Sequence, residues 1–207
     1  MTTPIVEISH LSKIFHTLKG ETFAVRDFSL TINEGEFVVL VGPSGCGKST
    51  ILSALAGLIE PSEGEIKFNP SKVIDKRPSI GYMLQQDHLF PWRTILENVV
   101  LGLEIQKNLI PETRKKAEHL LDMYGLGDFK KHYPNQLSGG MRQRAALIRT
   151  LTIDPEILLL DEPFSALDYQ TRLAVSDDIG SIIKKEKTTA IMVTHDISEA
   201  ISMKWQK

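Results

Sequence analysis

The segment Gly42-Pro43-Ser44-Gly45-Cys46-Gly47-Lys48-Ser49 restricts the fold more tightly than any other part of the chain. It fits G-x-x-x-x-G-K-[ST], a pattern that works only between a strand and a helix. Both flanks comply. Phe37 to Val41 is a continuous apolar run, which predicts a strand buried on both faces of a parallel sheet, and Ile51 to Leu58 predicts an apolar helix. The glycines let backbone N–H groups turn inward onto a phosphate, and the helix N-terminus adds a positive dipole end. Lys48 is positioned to reach the β- and γ-phosphates of a nucleotide, and the Ser49 hydroxyl to ligate Mg²⁺.

The same strand–helix alternation recurs along the chain. Phe28, Leu30 and Ile32 alternate with polar residues before the turn Glu34-Gly35-Glu36, and the first forty residues read as strands. Ile157 to Leu160 and Ala190 to Val193 are two further apolar runs. Between them, Val175, Ile179, Ile182 and Ile183 fall on one helical face. This order predicts a mostly parallel α/β sheet. The stretch from about 90 to 135 reads as helical: Ala117, Leu120, Leu121 and Tyr124 share a face, Pro111 suits a first turn, and Gly125 a C-terminal stop. Ser138 opens another helix, which Asp154-Pro155 closes.

Composition sets the outer bounds. At 207 residues, one domain with a core that needs no disulfide is expected. A net charge of −2 leaves no general nucleic-acid footprint. The single cysteine, Cys46, excludes an intrachain disulfide and suits a reducing compartment. No apolar stretch approaches a membrane span and the N-terminus lacks the features of a secretory signal, so a soluble, cytoplasmic protein is expected.

Two more segments bear on chemistry. Asp161 and Glu162 follow Ile157–Leu160, at the strand end where parallel α/β sheets bind ligands. Beside a phosphate loop, Asp161 is placed to hold Mg²⁺ and Glu162 to orient or deprotonate an attacking water. Leu137-Ser138-Gly139-Gly140-Met141-Arg142-Gln143-Arg144 bares backbone N–H groups at a helix start, a second anion site or simply a capped helix.

Taken in this order, the phosphate loop, Leu-Ser-Gly-Gly and Leu-Leu-Leu-Asp-Glu-Pro resemble the nucleotide-binding subunit of an ATP-binding-cassette (ABC) transporter, from about residue 5 to 203. The resemblance implies a P-loop NTPase core, an N-terminal antiparallel β subdomain and a helical subdomain, about 90–150, that carries the signature, all within a single domain over 1–207. It implies an ATPase that uses ATP and Mg²⁺. Gly42, Pro43, Ser44, Gly45, Cys46, Gly47, Lys48, Ser49 and Thr50 then hold the phosphates, and Lys48, Glu162, His195 and Gln85 form the catalytic set. Ser49, Asp161 and Gln85 match the metal-contacting positions. Gln86 is the neighbouring alternative to Gln85, but the spacing to Pro91-Trp92 favours Gln85. Phe15 matches the aromatic that stacks on adenine, the other reading being a strand-end core residue. Ser138, Gly139 and Gly140 are expected to face the nucleotide of a second subunit, with Asp168, in Ser165-Ala166-Leu167-Asp168, on the loop that crosses between subunits. The other five histidines show no metal-ligand spacing.

Leu89-Phe90-Pro91-Trp92-Arg93-Thr94 resembles importers of the nitrate, sulfonate, taurine and bicarbonate type. The partners this implies are a second copy in an ATP-dependent homodimer, transmembrane permease subunits and, indirectly, a periplasmic or lipid-anchored solute-binding protein. The expected place is peripheral, on the cytoplasmic face of the membrane. Phe90 and Trp92 are either exposed anchors for a partner or fillers of the helical core. Cys46 is either a thiol whose alkylation nucleotide prevents or a small filler with no exposed sulfur. Family members continue past the region of His195, whereas Lys204-Trp205-Gln206-Lys207 departs from their pattern, and reduced stability with association through exposed sheet edges is expected. Two other readings stand beside the transporter subunit: a nucleotide-binding module with impaired hydrolysis, and a cytosolic non-transport ABC ATPase. Against the latter, the interval from Gln85 to Ser138 holds no sustained heptads. A GTPase would need an Asn-Lys-x-Asp segment, which the sequence lacks.

Overall fold

The computed structural model describes residues 4–18, 20–69, 77–165, 167–186 and 188–202. Ala166 and residues 203–207, which the sequence reading touched on, lie outside them.

Two sheets organise the chain. β1 (Pro4–Thr17), β2 (Gly20–Asn33) and β4 (Glu63–Phe68) form an antiparallel sheet in the order β2-β1-β4. β3 (Phe37–Val41), β5 (Ile80–Met83), β6 (Ile157–Asp161) and β7 (Thr189–Thr194) form a parallel sheet in the order β3-β7-β6-β5. β6 and β7 are buried at every residue because both faces are covered. Their side chains alternate between two apolar cores. Leu158, Leu160, Ala190 and Met192 face one, and Ile157, Leu159, Ile191 and Val193 face the other. That is the period of a strand, and each fully buried leucine or isoleucine contributes about 2 kcal/mol.

The second core lies between the parallel sheet, α1 (Lys48–Leu55) and the antiparallel sheet. The first is roofed by α2 (Ile95–Val99), α3 (Leu101–Ile105), α4 (Pro111–Met123), α5 (Gly139–Leu151) and α6 (Tyr169–Glu186). The helical stretch therefore shares its core with the underside of the sheet: Ile95, Leu121 and Leu147 belong to the same buried cluster as Met83 and Leu160. α7 (Ile197–Ser202) follows β7. No helix among the described residues is long and apolar enough to cross a membrane.

Two expectations are corrected. The helix expected over Ile51–Leu58 begins at Lys48 and stops at Leu55; Gly57, at φ 73°, takes the left-handed conformation that ends a helix and turns Leu58 out to solvent. β3 is covered on both faces, Phe37 and Val39 packing on one core and Val38 and Leu40 on the other. But it sits at the end of the strand order with β7 as its neighbour, so its residues are only half-buried and Val41 is exposed.

Candidate nucleotide site

Register brings the site together. Val41 pairs with Thr194, and Asp161 with Val193. The phosphate loop, the Asp161-Glu162 pair and the Thr194-His195 pair thus emerge side by side at the carboxyl ends of β3, β6 and β7, with Gln85 just beyond β5. A cavity of about 340 Å³ opens there, lined by Ala24, Ser44, Gly45, Gly47, Lys48, Ser49, Thr50, Gln85 and Glu162.

The loop has the shape of an anion cradle. Gly45 and Gly47 have φ of 80° and 95°, and a Cβ on Gly47 would strike the Ala24 carbonyl at 2.1 Å. Glycine is therefore required where β2 passes beneath the loop. Buried Lys48 spans the loop, its Nζ donating to the Gly42 and Pro43 carbonyls at 2.8 and 2.9 Å, with Glu162 Oε1 3.9 Å away. An arriving triphosphate would give that ammonium a stronger, charge-assisted acceptor.

Ser49 Oγ donates to Asp161 Oδ1 at 2.8 Å, and the Tyr82 hydroxyl donates to Asp161 Oδ2 at 3.2 Å. Burial, together with the neighbouring Asp161 charge, pushes the Tyr82 phenol up to about 12, so it remains a donor. A hydroxyl oxygen and a carboxylate side by side, with the Gln85 amide across the cavity, form an all-oxygen donor set that fits Mg²⁺. Glu162 has φ 44°, a left-handed conformation costing about 1–2 kcal/mol for a non-glycine residue. Its amide donates to the Val193 carbonyl at 3.0 Å, and its own carbonyl accepts the Ser165 amide and hydroxyl at 3.1 and 3.0 Å. The side chain is thereby swung so that Oε2 lies 3.0 Å from His195 Nδ1. Gln85 Nε2 donates to Ser165 Oγ at 3.2 Å, linking the ends of β5 and β6.

Other expected residues lie apart from this cavity. Phe15 is exposed on β1, with the Lys13 ammonium 5.3 Å from its ring centroid, and is not among the lining residues. Ser138 caps α5, its Oγ accepting the Met141 amide at 3.3 Å, and Gly139 and Gly140 form the first turn. Asp168 Oδ1 accepts the Thr171 amide at 3.1 Å at the start of α6; bonds from Thr171 hold its carboxyl below the usual range. Cys46 is exposed, so it is no hidden filler. Trp92 is 70% exposed and stacks on Phe90 with centroids 5.0 Å apart, which rules out the core-filler reading for Trp92. The sequence reading missed Tyr82, which stands in no motif and reaches Asp161 only through the pairing of β5 with β6. It named Ser165 as part of the loop that crosses between subunits, not as the partner of Gln85 and of the Glu162 carbonyl.

With this geometry in view, the comparisons are specific. The family profile described as ABC transporter matches residues 25–165. The uncharacterised ABC transporter ATP-binding protein YtlC of Bacillus subtilis (strain 168) is 51% identical over 198 residues, 96% of this chain and 76% of that protein. The aliphatic sulfonates import ATP-binding protein SsuB of Bacillus licheniformis is 44% identical over 191 residues, 91% and 73% of the two chains. The ATP-binding cassette MJ0796, solved as a post-hydrolysis dimer with ADP and Pi, superposes with a TM-score of 0.79 at 36% identity, covering 96% of this chain and 91% of that one. A phosphate loop on a parallel sheet, an acidic pair two strands away and relatives of this closeness lead to one assignment: the chain belongs to the ABC transporter family, as an ATP-binding, ATP-hydrolysing subunit.

Proposed function

We propose that this subunit powers import of a small anion of the sulfonate, taurine or nitrate type through a membrane permease. The observation that carries the catalytic reading is the convergence of Lys48, Ser49, Glu162 and Gln85 on one cavity, with Asp161 bonded to Ser49 and His195 against Glu162. Lys48 and the loop amides bind the phosphates. Ser49, Asp161 and Gln85 would hold Mg²⁺, which when bound would draw charge from the phosphate oxygens. Glu162 accepts a proton from the water whose oxygen attacks the γ-phosphorus, while the bond from that phosphorus to the ADP oxygen breaks. His195 holds the Glu162 carboxylate from its outer side and contacts the γ-phosphate. Phe15 stacks on the adenine. Lying outside the cavity, Ser138, Gly139, Gly140 and Asp168 serve the nucleotide of a second copy, in a head-to-tail homodimer.

The import reading rests on the likeness to SsuB and on the exposed Phe90–Trp92 pair, which suits an aromatic anchor for a permease helix at the cytoplasmic face. A solute-binding protein outside the membrane would then set solute choice. Phosphate release tests the catalytic part: Glu162→Gln is expected to slow turnover by a factor of about 10²–10⁴ while retaining ATP binding. Parental turnover in that variant would remove Glu162 from the role. The import part is tested by reconstituting the subunit with the cognate permease and solute-binding protein and measuring turnover with taurine, an alkanesulfonate, nitrate and bicarbonate; stimulation by none of the four would overturn the small-anion assignment.

A further inference from the structure

Both neighbours of His195 are tied into one buried cluster that does not line the nucleotide cavity. Thr194 is buried, and its hydroxyl donates to Glu199 Oε2 at 2.5 Å while accepting the Asp196 amide at 3.0 Å. Asp196 Oδ1 accepts the Ser198 amide at 2.7 Å, opening α7. Arg172, on the first turns of α6, faces both carboxylates: NH1 lies 3.3 Å from Asp196 Oδ2 and Nε 3.5 Å from Glu199 Oε1. Its NH2 donates to the Leu167 carbonyl at 3.0 Å. One guanidinium therefore joins the turn that carries His195 to the segment that follows Ser165.

The choice of residues is costly for mere packing. A carboxylate with only 5% of its side chain exposed gives up its hydration, and an apolar residue would pin a short helix without that loss. Burial holds the Glu199 carboxyl above the usual range despite the Thr194 hydroxyl and the Arg172 charge. What a carboxylate and a guanidinium provide, and an apolar pair does not, is a directional bond to the side chains either side of residue 195, the Thr194 hydroxyl and the Asp196 carboxylate.

We propose that Glu199 and Arg172 are positioning residues for His195, holding its imidazole against the outer oxygen of Glu162. The inference rests on the catalytic reading of Glu162 and His195 given above. Neither residue touches substrate; both act through the Thr194 hydroxyl, the Asp196 carboxylate and the Leu167 carbonyl. A misplacement of the histidine is expected to slow the chemical step and to spare the phosphate grip of the glycine loop, which meets this cluster through the sheet bond from the Gly42 amide to the Thr194 carbonyl at 3.3 Å and is otherwise held on β3 and α1.

The test uses Glu199→Leu and, from the α6 side in case that variant folds poorly, Arg172→Met, with His195→Ala as reference. Turnover in each is expected to fall about tenfold or more, with ATP affinity within about twofold of the parent. The second readout is the ring cross-peaks of the six histidines by NMR, that of His195 being identified by its loss in His195→Ala. Glu199→Leu and Arg172→Met are expected to move the His195 peak and leave the other five in place. Parental turnover with an unmoved His195 peak would overturn the proposal, as would ATP affinity falling in step with turnover. His195→Ala at parental turnover, with Glu199→Leu still moving the ring, would overturn the catalytic reading while leaving the positional tie standing.

Discussion

Ser138 carries two duties that a single substitution separates. Its hydroxyl accepts the Met141 amide at 3.3 Å as the cap of α5, and the proposed dimer sets the same residue against a partner's nucleotide. Ser138→Ala removes the cap and is expected to cost about 1 kcal/mol. Ser138→Asp caps as well as serine and gains from the helix dipole, yet it points a negative charge at a triphosphate. The aspartate variant is therefore expected to melt no lower than the parent while forming no Mg-ATP dimer in a Glu162→Gln background, as read by thermal melts and light scattering. A Ser138→Asp dimer of parental stability would withdraw the nucleotide-facing role. Lys48, Ser49, Asp161 and Glu162 could be read from the sequence because the chemistry that needs them also needs them adjacent, in loop and strand-end motifs. The Tyr82 hydroxyl on Asp161 could not: it depends on β5 lying beside β6 with Tyr82 opposite Leu159. Glu199 was equally silent, an acidic residue four positions past a histidine with nothing local to announce its burial.

Between β5 and α4 the chain holds its shape by side-chain bonds more than by helix length. α2 and α3 have five residues each, too few to persist alone. Asn98, wholly buried on α2, donates to the Phe90, Arg93 and Thr94 carbonyls at 3.1, 3.1 and 3.0 Å and accepts the Phe90 amide at 2.7 Å. It thereby ties the loop that displays Trp92 to the helix behind it. Asn98→Ala strips those groups of their partner and is expected to lower stability by about 3 kcal/mol in urea unfolding. Trp92→Ala, at an exposed site, is expected to stay within about 0.5 kcal/mol of the parent. Its loss belongs instead in permease-stimulated turnover, and a strongly destabilised Trp92→Ala would show the ring to be structural. α4 and α6 were foreseeable because Ala117, Leu120, Leu121 and Tyr124, and again Val175, Ile179, Ile182 and Ile183, recur on one helical face, and α5 because Ser138 and Asp154-Pro155 mark its ends. The break at Val100 that divides α2 from α3 was not, since both sides carry the same apolar character. Nor was the edge position of β3: an apolar run reports cover above and below a strand, not what lies beside it in the sheet.

Two ways of meeting a second copy can be told apart by nucleotide. One is the proposed sandwich, in which the glycine loop of each protomer and the α5 N-terminus of the other close on ATP. The other is pairing along β3, which among the described residues stands at one end of the parallel sheet with half-buried residues and an exposed Val41. A net charge of −2 gives little self-repulsion to oppose either. The first needs the phosphates and their Mg²⁺, because two positive helix ends face each other without them. Glu162→Gln is therefore expected to double in mass with Mg-ATP, to return to a monomer when EDTA removes the metal, and to remain monomeric when Lys48→Ala is added. Edge pairing has the opposite signature: it grows with protein concentration, ignores EDTA and survives the loss of Lys48. Light scattering across a dilution series, with and without chelator, separates the two. A mass that follows concentration alone would mean that the sheet edge, and not the nucleotide, governs assembly of this subunit.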